Sequence, residues 1–310
     1  MHVWRFEWGR EGQVRWRSSM MVRSQPLVSV IIASYNHEKY IEASIASVAA
    51  QTYRNVELLV VDDGSSDGSV ELLRGLQAKY GFDLRVQQNQ GLSRTLNEAI
   101  ARARGNLIVP FGSDDIMLPQ RLEKQVAHMW DKPEVGICAG NIEIIDSNGR
   151  VMPGKEQRKR DLPFRRLDFD DLFLDRKPGP MAPTLMFRRE ALEKVGGFDP
   201  DIRLEDVYIE LAVTKAGYVI DILGEVLAQY RKHPTNTYKN ARFMVDNVFK
   251  TYSQFSDHPD YEQVIMRFRN SMFLKCSNRD KVLARELLSG LPLKYWNEKT
   301  FRGIARLFFS

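Results

Sequence analysis

The sequence predicts an α/β fold, in which a mainly parallel sheet is flanked by helices and followed by a helical C-terminal region. Short apolar runs such as VSVIIA and ELLVV have the length of buried strands. They alternate with segments whose apolar residues recur at helical spacing, and Gly, Pro or polar residues separate the two kinds of segment. Strands that alternate with helices of this length imply crossover connections and parallel pairing.

The predicted elements follow one another from Pro26 onward. The first five strands are LVSVIIAS, VELLVVDD, DLRVQQN, NLIVPFGSDD and VGICAGNIEIID. The helices between them are EKYIEASIASVAAQ, SSDGSVELLRGLQAKYG, LSRTLNEAIARARG and PQRLEKQVAHMW. Beyond residue 150, the polar stretch GKEQRKRDLPFRRLDFDDLF is predicted to be a loop. The later elements are a strand and helix in TLMFRREALEKVGGFD, a helix in EDVYIELAVTKAGY, a strand in VIDILGEVLAQYRKH, and helices from about residue 240.

We divide the chain into a flexible basic leader (1–25), a main α/β domain (26–238, with halves 26–150 and 151–238) and a helical region (239–310). The net charge of +5 comes from the two ends, because the leader carries five Arg and two Glu, and residues 291–310 carry two Lys, two Arg and one Glu. A nucleic-acid-binding body would carry its own basic face, so no nucleic-acid partner is expected. The two cysteines lack metal-ligand spacing, and the N-terminal residues show no secretory signal, which together favour a cytoplasmic protein.

Polar side chains follow three of the predicted strands. Ser34 and Tyr35 end the first strand, Asp63 ends the second, and Asp114 and Asp115 end the fourth. In such sheets ligands bind beyond the carboxyl ends of the strands, so one crevice is expected to collect these residues. Paired carboxylates suit Mg²⁺ or Mn²⁺ that also contacts a substrate phosphate, although Asp115 could instead cap a helix. Asp63 either forms a turn or accepts a hydrogen bond from a nucleotide base that stacks on Tyr35.

Two further candidates lie in the second half of the chain. Glu205 and Asp206 begin a helix, where acids are favoured by the helix dipole, but where a carboxylate facing the crevice could act as a general base. His233, in YRKHP, could bind a metal or a diphosphate oxygen. The other four histidines show no comparable context. The sequence lacks the dinucleotide-binding, P-loop and nucleophile-elbow motifs.

Four segments, in order, resemble glycosyltransferase family 2. They are VSVIIASYNHEKYIEASIASVAAQTYRNVELLVVDDGSSDGS, GSDDIMLPQRLEKQV, LMFRREALEKVGGFDPDIRLEDVYIELAVTKAGY and YRKHP. The resemblance covers roughly residues 26–238. It implies a GT-A fold and an inverting, metal-dependent transfer of a sugar from a nucleoside diphosphate donor to a hydroxyl of a glycan or lipid-linked acceptor. UDP is the favoured donor nucleotide, with dTDP or GDP as alternatives.

The resemblance also implies roles for individual residues. Asp206, with Glu205 beside it, would be catalytic. The donor would be bound by Ser34, Tyr35, Asp63, Arg94, Asp114 and His233, and the Mg²⁺ or Mn²⁺ by Asp114, Asp115 and His233. Many family members carry a further Asp two residues before the position of Asp114, where this chain has Gly112. That departure leaves open a non-catalytic module that binds nucleotide sugars or carbohydrate within a polysaccharide-synthesis complex. A nucleotidyltransferase would also use paired aspartates, but SYNHEKY is not glycine-rich.

The C-terminal segment LKYWNEKTFRGIARLFFS combines basic and aromatic residues. At helical spacing Phe301, Ile304 and Phe308 share one face, which suits a helix lying on an anionic membrane. The alternative is a helix packed on the body or on a second copy of the chain. The family analogy adds a setting in bacterial surface polysaccharide or lipopolysaccharide synthesis, on the inner face of the cytoplasmic membrane.

Overall fold

The computed structural model describes residues 3–8, 14–19, 25–154, 162–234 and 240–309. The strands are β1 Val3–Trp8, β2 Val14–Ser19, β3 Val28–Ser34, β4 Val56–Asp62, β5 Asp83–Val86, β6 Leu107–Gly112, β7 Ile116–Met117, β8 Val135–Ile145, β9 Arg165–Leu167, β10 Met186–Arg188 and β11 Val219–Arg231. The α-helices are α1 Ile41–Ala49, α2 Ser69–Tyr80, α3 Leu92–Arg102, α4 Arg121–Met129, α5 Phe169–Phe173, α6 Arg189–Lys194, α7 Glu205–Lys215, α8 Ala241–Ser253, α9 Tyr261–Cys276, α10 Lys281–Ser289 and α11 Glu298–Phe309.

One large sheet organises the molecule, with the strand order β5-β4-β3-β6-β10-β8-β11-β7 and β9 paired to β11. Strands β5, β4, β3 and β6 pair with one another in parallel, and β8 is parallel to β11. Strand β10 runs antiparallel between β6 and β8 and so joins the two parallel groups. The predicted α/β class is therefore confirmed, with a sheet that is mixed because β7, β9 and β10 run against their neighbours.

Helices cover both faces of the sheet, which explains why its central strands are apolar on both sides. On one face Val30 and Ile32 of β3 lie in a core with Ile45 of α1 and Leu73 of α2. On the other face Ile31 packs in a second core, which contains residues of α3, α6 and α7. The resulting three-layer arrangement leaves the carboxyl edge of the strands free to carry polar side chains.

One sequence expectation is wrong and another stays a prediction. Within the predicted flexible leader, Val3–Trp8 and Val14–Ser19 pair as antiparallel strands, and the division of the chain at residue 25 remains a prediction. The stretch predicted as a loop before residue 174 contains β9 and α5. Asp168 caps α5 in a reciprocal capping box with Asp171, and the buried Phe173 fixes the helix on the core. The many charges in this stretch hid its apolar spacing; residues 155–161 lie outside the described part.

The helices predicted beyond residue 240 are present, and they surround a separate apolar cluster. Its centre is Phe273 of α9, which is fully buried. A second cluster, with Phe173 of α5, Leu211 of α7, and Phe255 and Val264, joins this helical region to the main domain. Among the described residues, no helix combines the length and apolarity that crossing a bilayer requires.

We expect Gly303→Ala to destabilise the protein by about 1–3 kcal/mol, because a Cβ there would lie 2.5 Å from the Phe273 ring, inside a filled core. Gly75 is the matched control, since it also lies within a helix but a Cβ there would meet nothing within 4 Å. Gly75→Ala should stabilise by roughly 0.5–1 kcal/mol through helix propensity alone. Urea unfolding of both variants measures the difference, and equal effects would contradict the close packing of Gly303.

Candidate active site

A cavity of about 270 Å³ opens at the carboxyl edge of the sheet. Its polar lining includes His37 after β3, Asp114 and Asp115 after β6, and Glu205 and Asp206 at the start of α7. Apolar side chains complete its wall, namely Leu92, Leu96, Phe111, Leu185, Phe187 and Phe198. Acids from both halves of the main domain therefore meet at the sheet edge where the sequence placed the crevice. Larger clefts of about 470 and 580 Å³ lie near Pro26, which precedes β3, the first strand of the large sheet.

The loop after β3, the turn after β6 and the segment after β11 bring an aspartate and two histidines together. His233 Nε2 lies 2.8 Å from Asp114 Oδ2, so the structure brings these two predicted site residues into contact, and their role at a metal stays a prediction. His37 joins them, so that one ligand atom from each of the three residues lies within 4.8 Å of the others. Burial lowers the pKa of His37 despite the nearby Asp114 carboxylate, which favours the neutral imidazole that a metal ion requires.

Asp115, which also lines the cavity, has a different hydrogen-bond partner. Its Oδ1 accepts the backbone N–H of Arg231 at 2.9 Å, and its side chain is buried. Burial, together with the adjacent Asp114 carboxylate, raises the pKa of Asp115 well above its usual value. Among the described residues, Asp115 does not join the His37–Asp114–His233 group. Its predicted role as a metal ligand stays a prediction, whereas its visible contact holds the turn against β11.

The surroundings of Gly112 favour a residue without a side chain. A Cβ built at this position would lie 2.9 Å from Asp115 Oδ2 and 3.0 Å from Asp114 Oδ1. A side chain at position 112 would therefore require the two carboxylates that follow to shift.

The other predicted donor-binding residues lie on the loops around this edge. Asp63 is only 4% exposed, and its carboxylate accepts three hydrogen bonds at 2.9–3.0 Å, from the Gln87 side chain and from the backbone N–H groups of Gln90 and Gly91. Tyr35 is 50% exposed. Asp63 thus orders the loop that leads into α3, and its predicted contact with a nucleotide base stays a prediction.

Ser34 and Arg94 differ in their surroundings. The Ser34 side chain is buried, and its Oγ has no hydrogen-bond partner among the described residues. Its backbone carbonyl accepts the N–H of Asp63 at 2.8 Å and so ties the ends of β3 and β4 together. Arg94 is exposed on α3 and forms no ion pair within the described part of the chain. Neither residue lines the cavity, so their predicted donor contacts stay predictions.

Glu205 and Asp206 stand in the first turn of α7, as the sequence predicted. Burial, reinforced by the Asp206 carboxylate, raises the pKa of Glu205 to about 8. Burial also raises the pKa of Asp206, although its Oδ1 accepts the N–H of Val207 at 2.8 Å. Glu210, one turn later, is more deeply buried than these two half-buried acids, and burial with the charge of Asp206 raises its pKa. Acids with raised pKa values in a cavity are suited to take a proton near neutral pH.

We expect Glu205→Gln to stabilise the protein increasingly as the pH rises. The folded-state pKa of about 8 lies above the unfolded value near 4.5, so the wild-type protein loses stability between these pH values, when the unfolded chain releases the proton and the folded one retains it. Gln cannot titrate, and the gain at pH 9 should be on the order of a few kcal/mol. Melting curves from pH 5 to pH 9 measure it. Glu190→Gln, at an exposed position in the first turn of α6, is the control, and a gain independent of pH would contradict the prediction.

Sequence reasoning missed His37. The only available signal was its position three residues after Ser34, in the same strand-end segment as Tyr35. The sequence around His37 carries no motif. The cluster appears only when the fold brings residues 37, 114 and 233 together.

Comparisons with known proteins agree with this architecture. TarS of Staphylococcus aureus, solved in complex with UDP-GlcNAc, matches with a TM-score of 0.64 over 87% of this chain and 82% of that chain, at 18% identity. The mannosyltransferase PcManGT from Pyrobaculum calidifontis, in complex with GDP-Man and Mn²⁺, matches with a TM-score of 0.61 over 92% of this chain and 86% of that chain, at 16% identity. The fold is therefore that of the GT-A glycosyltransferases.

Sequence relatives narrow this class to a family. The O-antigen biosynthesis glycosyltransferase WbnJ of Escherichia coli is 29% identical over 72% of this chain and 86% of its own length. The UDP-Glc:alpha-D-GlcNAc-diphosphoundecaprenol beta-1,3-glucosyltransferase WfgD, also from Escherichia coli, is 30% identical over 75% of this chain and 88% of its own length. The chain belongs to glycosyl transferase family 2, whose model matches residues 29–196. The predicted family is confirmed.

Proposed function

We propose that this protein is an inverting glycosyltransferase that transfers a sugar from a nucleoside diphosphate donor to a hydroxyl of a glycan or lipid-linked acceptor. The observation that carries the proposal is the cavity that Asp114 and Asp206 line together, from opposite halves of the main domain. Names of relatives that mention O-antigen and teichuronic acid synthesis support a role in bacterial surface polysaccharide synthesis. UDP is the favoured nucleotide because TarS was solved with UDP-GlcNAc and WfgD is named for UDP-Glc.

Asp206 is the proposed base. It would take the proton of the acceptor hydroxyl as that oxygen attacks the anomeric carbon from the face opposite the leaving diphosphate, which inverts the configuration. Its pKa, raised by burial, makes it a stronger base than an exposed aspartate. The adjacent Glu205 holds a proton up to a pH of about 8 and so avoids placing two charges side by side.

Asp114 and His233 form the proposed diphosphate end of the site. A divalent cation such as Mg²⁺ or Mn²⁺, held by them, would neutralise the negative charge that develops on the leaving diphosphate. The donor set fits such an ion, since a carboxylate oxygen and an imidazole nitrogen already lie 2.8 Å apart. Tyr35 would stack on the base, while Asp63 orders the neighbouring loop and Arg94 supplies positive charge at the rim.

A thermal-shift panel tests the proposal, with UDP-, dTDP- and GDP-sugars added with and without Mn²⁺, followed by an assay for nucleoside diphosphate release in the presence of acceptor. A ligand that binds only the native state at a concentration 100 times its Kd stabilises it by about 2.7 kcal/mol. One nucleotide class should raise the melting temperature and be turned over. Stabilisation without turnover would favour the non-catalytic sugar-binding module, and no stabilisation by any nucleotide would contradict both functions.

The C-terminal helix is proposed to contact an anionic membrane, which would bring the enzyme to a lipid-linked acceptor. The predicted apolar face is split in the structure. Ile304 packs on the helical core around Phe273, whereas Phe301 and Phe308 are 61% and 62% exposed. Leu293 is also 75% exposed, so exposed apolar side chains occur both on this helix and in the turn before it.

We expect the double variant Phe301→Ser/Phe308→Ser to weaken binding to vesicles of anionic phospholipid by about ten-fold or more, because both rings are exposed and each contributes apolar area. Vesicle co-sedimentation measures the effect. Val282→Ser, at a position 62% exposed on α10, is the matched control. Unchanged vesicle binding, with a change from dimer to monomer in light scattering, would instead show that this surface joins two copies of the chain.

A further inference from the structure

We propose that His37 is a third protein ligand of the catalytic cation, so that two imidazoles and one carboxylate select transition-metal ions over Mg²⁺. The inference rests on the proposed function for its location, since the cation would sit where the donor diphosphate binds. It goes beyond that function because it gives His37 the role of a metal ligand and predicts which ions the site prefers.

The geometry is close to that of a metal site. The three ligand atoms, from the loop after β3, the turn after β6 and the segment after β11, lie within 4.8 Å of one another. Two ligands at about 2.1 Å from a shared ion stand roughly 3–4 Å apart, according to whether they are adjacent or opposite. The pair His233 Nε2 and Asp114 Oδ2 already has a separation of 2.8 Å. Small rotations would therefore bring all three onto one ion.

Both histidine rings are held in place. His37 Nδ1 lies 2.6 Å from Ser113 Oγ, a hydrogen bond of the kind that orients metal-binding imidazoles, which leaves Nε2 as the ring's other ligand atom. Tyr40 packs against both rings, with centroid distances of 6.0 Å to His37 and 5.3 Å to His233. The guanidinium of Arg231 lies 5.0 Å from the centroid of the Tyr40 ring and packs it from another side.

No other nearby acid in the described chain has a comparable position. Position 112 is a glycine and supplies no side-chain ligand. Asp115 directs one oxygen to the backbone N–H of Arg231. The protein ligands are therefore two nitrogens and one carboxylate, with the remaining positions left for water and diphosphate oxygens. Imidazole nitrogen is a good ligand for transition-metal ions such as Co²⁺, whereas Mg²⁺ prefers oxygen ligands.

Titration of the full chain with metal alone, without nucleotide or acceptor, tests the proposal. Calorimetry should give one Co²⁺ per chain, bound about 100-fold or more tightly than Mg²⁺, with Mn²⁺ between them. The visible absorption of bound Co²⁺ gives an independent readout. His37→Asn should weaken Co²⁺ binding at least about ten-fold and change this spectrum, while His258→Asn, far from the group, should change neither. Melting curves in EDTA confirm that each variant is folded.

Mg²⁺ bound within ten-fold of Co²⁺, or wild-type Co²⁺ affinity and spectrum in folded His37→Asn, would overturn the proposal. So would a wild-type chain that binds no Co²⁺. Because the titration contains no sugar donor, its result is separate from the transfer reaction. A protein that binds Co²⁺ through His37 but transfers no sugar would refute the proposed function and support the metal site. An enzyme that transfers sugar but binds Co²⁺ equally well without His37 would support the function and refute the proposed ligand.

Discussion

Asp206→Asn should lower kcat for sugar transfer by about 10²–10⁴-fold, because the amide cannot take the proton of the acceptor hydroxyl. The substitution keeps the size of the side chain and one oxygen that can accept the N–H of Val207, so the start of α7 should be preserved. Donor affinity should change little, since the groups proposed to hold the diphosphate, Asp114 and His233, lie on other segments. Steady-state kinetics and calorimetry with the nucleotide sugar separate the two effects.

The control for this variant is Asp201→Asn, the same chemical change at an exposed position shortly before α7. It should transfer sugar at the wild-type rate. If Asp206→Asn were equally active, Asp206 would not be the base, and Glu205 would be tested next in its place. If instead donor affinity fell together with kcat, the variant would have disturbed the binding site, and its loss of activity could not be assigned to proton transfer.

Most strands and helices could be predicted because the sequence patterns that indicate them are local. Apolar runs of strand length, such as VSVIIA, and helical spacing in segments such as LSRTLNEAIARARG depend only on neighbouring residues. Strand β10 shows the limit of this reasoning. Its three residues carry no sign that they insert antiparallel between β6 and β8, since that choice depends on strands more than 40 residues away.

The site residues also differ in how far local sequence predicts them. Asp114 and Asp206 were predicted because each follows a recognisable local pattern, and the cavity does bring them together. The sequence does not show in which direction a side chain points after a turn, so it gave no sign of His37, and it predicts a metal role for Asp115 that stays a prediction. The hydrogen bond from the Arg231 N–H to Asp115 and the hydroxyl of Ser113 beside His37 decide these directions, and both are tertiary contacts.

The two adjacent aspartates after β6 should therefore differ in their importance. Asp114→Asn should lower kcat/KM by about 10³-fold, equivalent to roughly 4 kcal/mol, because it removes the negative charge that would hold the cation at the leaving diphosphate. It also removes the carboxylate that His233 contacts at 2.8 Å. Donor affinity in the presence of Mn²⁺ should fall as well, which distinguishes this variant from Asp206→Asn.

Asp115→Asn should cost much less, about ten-fold, because Asn retains an oxygen that can accept the N–H of Arg231 and so keeps the turn in place. Side-by-side kinetics over a range of Mn²⁺ concentrations measure the contrast. Excess Mn²⁺ should leave Asp115→Asn unchanged, and it should restore Asp114→Asn only in part, since the ion would then be held by imidazole alone. Equal losses in the two variants would show that Asp115 turns toward the cation when donor is bound, and the ligand set implied by the family resemblance would then be the correct one.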